Sequence, residues 1–294
     1  MRKIFFCLGL LLIFLTGCQS GEEDTAGNRE TETSTSQTSV VIPNSNTENE
    51  TSNSMSEAFS TPTIFIHGYS GTKGSFQGML DRLGNVGAHF AGVIEVAADG
   101  TVSTQGNLDL TGNQDVLQLL FTDNKNNEWN QAQWLKNTLQ YLGITKVNLV
   151  GHSMGGVDGL RYLLTMADPN IKVEKFVSIG APFNEFEIQN TDETLDSILA
   201  NGPQNQSARY TEFQGLLENF PQKTDWLNIV GCLDEENPND GDGTVPLNSG
   251  LALTSRAQAL QLNYQNEIIT GNNAQHSQLH ENLEVDQLVE NFLW

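Results

Sequence analysis

A short strand-forming run at residues 146–150 (Lys-Val-Asn-Leu-Val) passes without a spacer into Gly151-His152-Ser153-Met154-Gly155-Gly156, and a helix-forming stretch follows at 155–167. The Gly151-x-Ser153-x-Gly155 spacing at such a junction predicts a sharp strand-to-helix turn. That turn holds the serine in a strained backbone conformation, with glycines where neighbouring chains come close. The five-residue string is weak evidence alone; its place between a buried strand and a helix gives it meaning. A serine presented this way is a candidate nucleophile, and it needs a base to take its proton and an acid to orient that base.

The surrounding residues 61–294 number 234, enough for one α/β domain. Residues 63–67 form an apolar run closed by Gly68, and a helix is expected over 75–83, ended by Gly84. Asp99-Gly100 between 92–96 and 101–102 is a hairpin signal. Residues 115–121 read as a strand. Residues 128–142 carry apolar side chains at 132, 135, 139 and 142, a helical spacing stopped by Gly143. Strands at 146–150, 173–179, 226–231 and 262–269 alternate with helical stretches, which predicts a mostly parallel sheet covered on both faces. The alternation breaks at 184–224, where Leu195, Ile198 and Leu199 make one apolar face and Phe213, Leu216, Leu217 and Phe220 another. That segment is either a small helical cap over the site or helices that cover the sheet. Cys232, at the end of a strand, reads as a small core residue.

In the α/β-hydrolase arrangement the chain order is serine, then acid, then histidine. The loop after 226–231 holds Asp234, Glu235, Glu236, Asp240 and Asp242. Asp242 is the preferred acid, because Gly241 and Gly243 permit a tight turn that points a carboxylate inward; Asp240 and Asp234 are the reserves. A calcium loop ending on Gly243 would need an acid where Pro238 stands. Of five histidines, only His276 and His280 lie downstream of the acid. His276 follows the loop after the last strand and is the preferred base, whereas His280 is expected at the surface or behind the site. His152 is expected to be structural. The two amides of an oxyanion hole are assigned to Met154, directly after the serine, and to Tyr69 in His67-Gly68-Tyr69-Ser70-Gly71. This chemistry requires neither metal nor cofactor.

Ile66-His67-Gly68-Tyr69, Gly151-His152-Ser153-Met154-Gly155-Gly156, Gly241-Asp242-Gly243-Thr244-Val245-Pro246 and His276-Ser277-x-Leu279-His280-Glu281-Asn282 follow one another along the chain. In that order they resemble a family of cell-surface α/β-hydrolases from Gram-positive bacteria, lipase- or esterase-like and poorly characterised. The resemblance spans nearly all of 62–294, takes in Asp123-Asn124-Lys125-Asn126-Asn127, and implies Ser153, Asp242 and His276 as the triad.

The N-terminus carries a different kind of information. Arg2 and Lys3 precede a 12-residue apolar run at 4–15, too short for a membrane span, so residues 1–17 read as an export signal. Leu15-Thr16-Gly17-Cys18 resembles the lipobox of bacterial lipoproteins, which implies cleavage before Cys18 and acylation of its thiol. Residues 19–60 are dominated by Ser, Thr, Asn, Glu and Gln, and are expected to form a disordered tether that reaches about 140–150 Å when extended. The expected location is therefore the outer face of a cell membrane, anchored through acyl chains at Cys18.

The chain has 36 acidic residues against 14 basic ones, a formal net charge of -22. That balance argues against nucleic acid as a partner and against electrostatic attachment to anionic lipid. Three cysteines make no disulfide framework. The sequence thus leads to a lipid-anchored serine hydrolase of small or lipid-like carboxylic esters. Its competitors are a thioesterase, an amidase, a transacylase, and a non-catalytic surface module that binds a ligand on the same fold.

Overall fold

The computed structural model describes residues 61–184, 186, 193–234 and 240–294. The export signal, Cys18 and the tether expected over 1–60 lie outside the described residues, as does part of the segment expected as a cap.

Among the described residues, eight strands form one sheet in the order β3-β2-β4-β1-β5-β6-β7-β8. They are β1 (Thr63–Ile66), β2 (His89–Val96), β3 (Val102–Thr104), β4 (Asp115–Phe121), β5 (Lys146–His152), β6 (Lys172–Ile179), β7 (Asp225–Cys232) and β8 (Tyr264–Thr270). Every pairing is parallel except β2 with β3, which is the expected Asp99-Gly100 hairpin. This is the α/β-hydrolase fold. Parallel strands must be joined by crossovers, and the crossover helices bury both faces of the sheet. On β1, Ile64 and Ile66 face one core and Phe65 the other; on β5, Val147 and Leu149 oppose Val150.

The helices are α1 (Gly74–Asn85), α2 (Glu128–Leu142), α3 (Met154–Thr165), α4 (Leu195–Asn201), α5 (Ala208–Leu216), α6 (Leu247–Gly250), α7 (Thr254–Ala259) and α8 (Leu283–Leu293). Their ends follow local chemistry. The side chain of Asn127 accepts from the Trp129 and Asn130 amides at the start of α2, and Gly143 closes that helix in the left-handed region. Asn282 and Ser207 cap α8 and α5 in the same manner. Helix α1 runs one residue past Gly84, the expected stop, because Met79, Leu80 and Leu83 already bind it to the core.

In the segment from 184 to 224, Tyr210, Phe213, Leu217 and Phe220 join the main core, and Phe220 stacks on Trp226 of β7 at 5.4 Å. Ile198 of α4 joins a third cluster with Val230, Cys232, Leu247 and Leu251. The last strand begins at Tyr264 rather than Leu262, whose amide donates to Ala257 O and closes α7. Among the described residues, no helix is long and apolar enough to cross a membrane.

Candidate active site

Ser153 stands at the end of β5 with φ 55° and ψ −122°. A positive φ is costly for a residue with a Cβ, on the order of 1–3 kcal/mol, and persists only where the surroundings enforce it. Here they do. The Ser153 amide donates to Ile179 O at 2.8 Å, and Ser153 O accepts from Gly156 N at 3.0 Å. A Cβ on Gly151 would run into the Gly155 carbonyl, and one on Gly155 into the carbonyl oxygens of Ile66 and His67. Both flanking glycines are therefore demanded by backbone-on-backbone contact.

The loop after β7 brings Asp242 under His276. Gly241 and Gly243 both take positive φ, and the turn is closed by Gly243 N to Asp240 O at 3.0 Å and Asp242 N to Val245 O at 3.2 Å. Asp242 Oδ1 accepts from the Thr244 and Val245 amides at 2.9 and 2.7 Å. Its Oδ2 accepts from His276 Nδ1–H at 2.7 Å, and its carbonyl accepts from the His276 amide at 2.9 Å. The pair is thus tied through side chain and main chain, and Nε2 of His276 is left as the ring's acceptor nitrogen. Beneath it lies Gly180, where a Cβ would sit 3.2 Å from Asp242 Oδ2 and 3.3 Å from His276 Nδ1. The adjacent residues Ile179 and Gly180, at the end of β6, therefore touch both Ser153 and the Asp242–His276 pair.

The loop after β1 closes against the serine, since a Cβ on Gly68 would lie 2.8 Å from Ser153 Cβ. His67 holds this loop in place. Its Nδ1–H donates to Gly68 O at 2.8 Å, and its Nε2 accepts from the Phe121 amide at 3.1 Å. Burial lowers its pKa, which suits a ring that must accept at one nitrogen. Gly71 N donates to Gly68 O, and Ser70 N to Asn124 O. Asn124 Nδ2 donates to Gly71 O at 2.8 Å, so residues 123–127 brace the turn. Among the described residues, neither the Tyr69 amide nor the Met154 amide donates to an internal acceptor.

Residues 48–294 match the family described as an alpha/beta hydrolase of unknown function (DUF915). The chain belongs to this family. In structure it is similar to the product of a Listeria innocua gene, with 27% identity, 80% of this chain and 94% of that one covered, and a TM-score of 0.72. It is also similar to a presumed cell surface hydrolase from Lactobacillus plantarum WCFS1, with 21% identity, 80% and 92% covered, and a TM-score of 0.62. No curated protein matches the sequence.

Two further histidines of this DUF915 chain stand behind the candidate base. His152 is buried, and its Nε2–H donates to His276 O at 3.0 Å. The His152 ring centroid lies 4.6 Å from that of His276 and 4.7 Å from that of His280. Burial, reinforced by the two neighbouring imidazoles, holds the His152 pKa well below the ordinary value. His280, one of whose expected positions was the surface, is largely buried against His152 and Phe76. It belongs to a short 3-10 helix, His276–Glu281, fastened from outside by Arg82 of α1. Arg82 donates to Glu281 at 2.9 Å, to His280 O at 3.0 Å and to Asp286.

A cleft of about 350 Å³ opens beside Met154, lined also by Glu128, Trp129, Arg161, Arg209 and Glu212. Arg161 Nε donates to Glu128 Oε1 at 3.1 Å, and its Nη2 bridges Glu128 and Glu212. Arg209 Nε donates to Glu128 Oε2 at 2.8 Å. The Arg161 guanidinium lies 3.7 Å from the centre of the Trp129 ring. The sequence offers no signal for this network, whose members come from α2, α3 and α5. Among the described residues, no group of three or more His, Cys, Asp or Glu could hold a metal ion.

Proposed function

We propose that the protein is a serine hydrolase of carboxylic esters, with Ser153 as nucleophile, His276 as base and Asp242 as the acid that orients it. The observation that carries this reading is the doubly tied His276–Asp242 pair, packed on Gly180 next to the residue that accepts from the Ser153 amide. Family membership supports hydrolysis in general.

Ser153 Oγ attacks the ester carbonyl carbon and passes its proton to His276 Nε2. The imidazolium that forms donates to Asp242 Oδ2. Negative charge on the former carbonyl oxygen is received by the Met154 and Tyr69 amides, which no internal acceptor occupies. Collapse of the tetrahedral intermediate expels the alcohol, which takes the proton from His276, and leaves an acyl-serine. Water, deprotonated by the same histidine, releases the acid and restores the serine.

Labelling with a fluorophosphonate tests the reading. Ser153 should be modified, Ser153→Ala should not, and His276→Ala should lose labelling where His280→Ala retains it. Absence of serine-dependent labelling together with absence of ester turnover would favour a ligand-binding module. The location that goes with this function is the outer membrane face, with acyl chains on Cys18. Cys18→Ser should release the protein from membranes and abolish incorporation of labelled palmitate.

A further inference from the structure

We propose that the cleft beside Met154 is the subsite for a neutral, hydroxyl-rich group of the substrate, a carbohydrate carrying the ester, rather than for an alkyl chain. This rests on the serine hydrolase reading, because Met154 directly follows the nucleophile and so places the cleft beside the scissile bond.

The walls decide the class of ligand. Two guanidiniums, Arg161 and Arg209, face two carboxylates, Glu128 and Glu212, and all four are already joined by ion pairs. The cleft therefore has no charge of one sign to offer. An anionic ligand would have to displace a glutamate, and would meet a domain whose residues 61–294 carry 28 acids against 11 bases. An alkyl chain would strip water from the ion pairs and return nothing. Hydroxyl groups both donate and accept, which matches a wall of alternating guanidinium and carboxylate.

The second feature is an aromatic platform. Trp129 is 45% exposed, unusual for a tryptophan, while the Arg161 guanidinium under it fixes its orientation. A rigid, exposed indole beside hydrogen-bonding side chains suits the C–H face and rim hydroxyls of a sugar ring. The third feature is unspent donor capacity. Arg161 is 1% exposed, lines the cleft and keeps Nη1 without a protein acceptor. Buried polar groups are normally satisfied, so an orphaned donor on a cleft wall indicates where a further acceptor belongs.

The test uses the full chain purified in detergent, with acetylated xylo-oligosaccharides, p-nitrophenyl acetate and p-nitrophenyl octanoate as substrates. The wild-type protein should release acetate from the oligosaccharides and discriminate against octanoate. Trp129→Ala should lower kcat/KM on the saccharide ester, relative to that on p-nitrophenyl acetate, by about tenfold, mainly through KM. Trp129→Phe should restore part of the loss, and the partly exposed Glu212→Gln, which keeps the fold, should shift the same ratio in the same direction. Octanoate preferred over acetate with no action on the saccharide ester overturns the proposal, as does an equal fall on all three substrates. If no ester is turned over and Ser153 is not labelled, it is the hydrolase reading that fails. Calorimetry with xylotetraose then decides the subsite alone: binding to Ser153→Ala that Trp129→Ala weakens upholds it, and no binding overturns it.

Discussion

His152 and His276 are 124 residues apart in the chain, yet the imidazole of the first donates to the main-chain carbonyl of the second at 3.0 Å. The residue next to the candidate nucleophile thereby holds the backbone of the candidate base. His152→Phe keeps a planar ring and removes the donor, so kcat should fall on the order of 10- to 100-fold with little change in KM. His152→Asn or His152→Gln should recover part of the rate if the donor is what matters. Steady-state kinetics on p-nitrophenyl acetate, with the pH profile of kcat, check this. A rate like that of the wild type in His152→Phe would show that the hydrogen bond positions nothing.

Gly68 and Gly155 respond differently to the same methyl group. At Gly68 the new Cβ meets Ser153 Cβ at 2.8 Å and His152 O at 3.1 Å, so Gly68→Ala should displace the nucleophile. We expect fluorophosphonate labelling at least about tenfold slower with a cooperative unfolding transition retained. At Gly155 the Cβ collides with carbonyl oxygens of the neighbouring strand, which cannot move away. Gly155→Ala should fail to accumulate as folded protein. Circular dichroism melts and labelling rates on the two variants separate the outcomes.

Acid should destabilise the fold through histidine burial. His67, His152 and His280 all have pKa values lowered in the folded state, chiefly by burial. The unfolded chain binds their protons first, so their contribution is intact above about pH 6.5. It declines as pH falls toward the folded values, by up to about 1.4 kcal/mol per pH unit for each group. Asp158 and Asp286, pushed up by burial, act in the opposite sense as pH falls toward 3.8. The histidine effect is therefore read as a difference: melting temperature should fall less between pH 7.5 and 5.5 in His280→Gln than in the wild type. Parallel curves would refute it.

Asp158 offers the converse test. It is wholly buried on α3 and neither carboxylate oxygen has a hydrogen-bond partner. Desolvation, with Glu128 nearby, pushes its pKa well above the ordinary range, so the native state is penalised at neutral pH for the charge that the unfolded chain carries without cost. Asp158→Asn keeps the shape and removes the penalty. Its melting temperature should exceed that of the wild type by a few degrees at pH 7 and converge with it near pH 4. A lower melting temperature at pH 7 would mean that the carboxylate is paired in solution.

Much of the scaffold is legible in local chemistry. The strand at 115–121 and the helix at 128–142 coincide with their observed bounds, because apolar spacing, the Asn127 cap and the Gly143 stop all act within a few residues. Helices α6 and α7 escape such a reading: they span four and six residues, too short to display a period. His280 is also opaque to it, since its burial depends on Phe76 and on Arg82, which come from α1 about 200 residues earlier.

By itself the sequence determined the strand-to-helix turn at Ser153 and the α/β class. Those features follow from the conformational demands of glycine and from hydrophobic period, which operate over a few residues. Only the tertiary structure decided which acid lies under His276, which amides near Ser153 have no internal acceptor, and that two arginines and two glutamates meet beside Met154. The first two depend on the parallel register of β1, β5, β6, β7 and β8, which aligns loops from distant parts of the chain at the C-terminal ends of the strands, and the third on the packing of α2, α3 and α5. A carboxylate that is solvated in the isolated loop becomes a histidine's partner only when that register brings the two loops together.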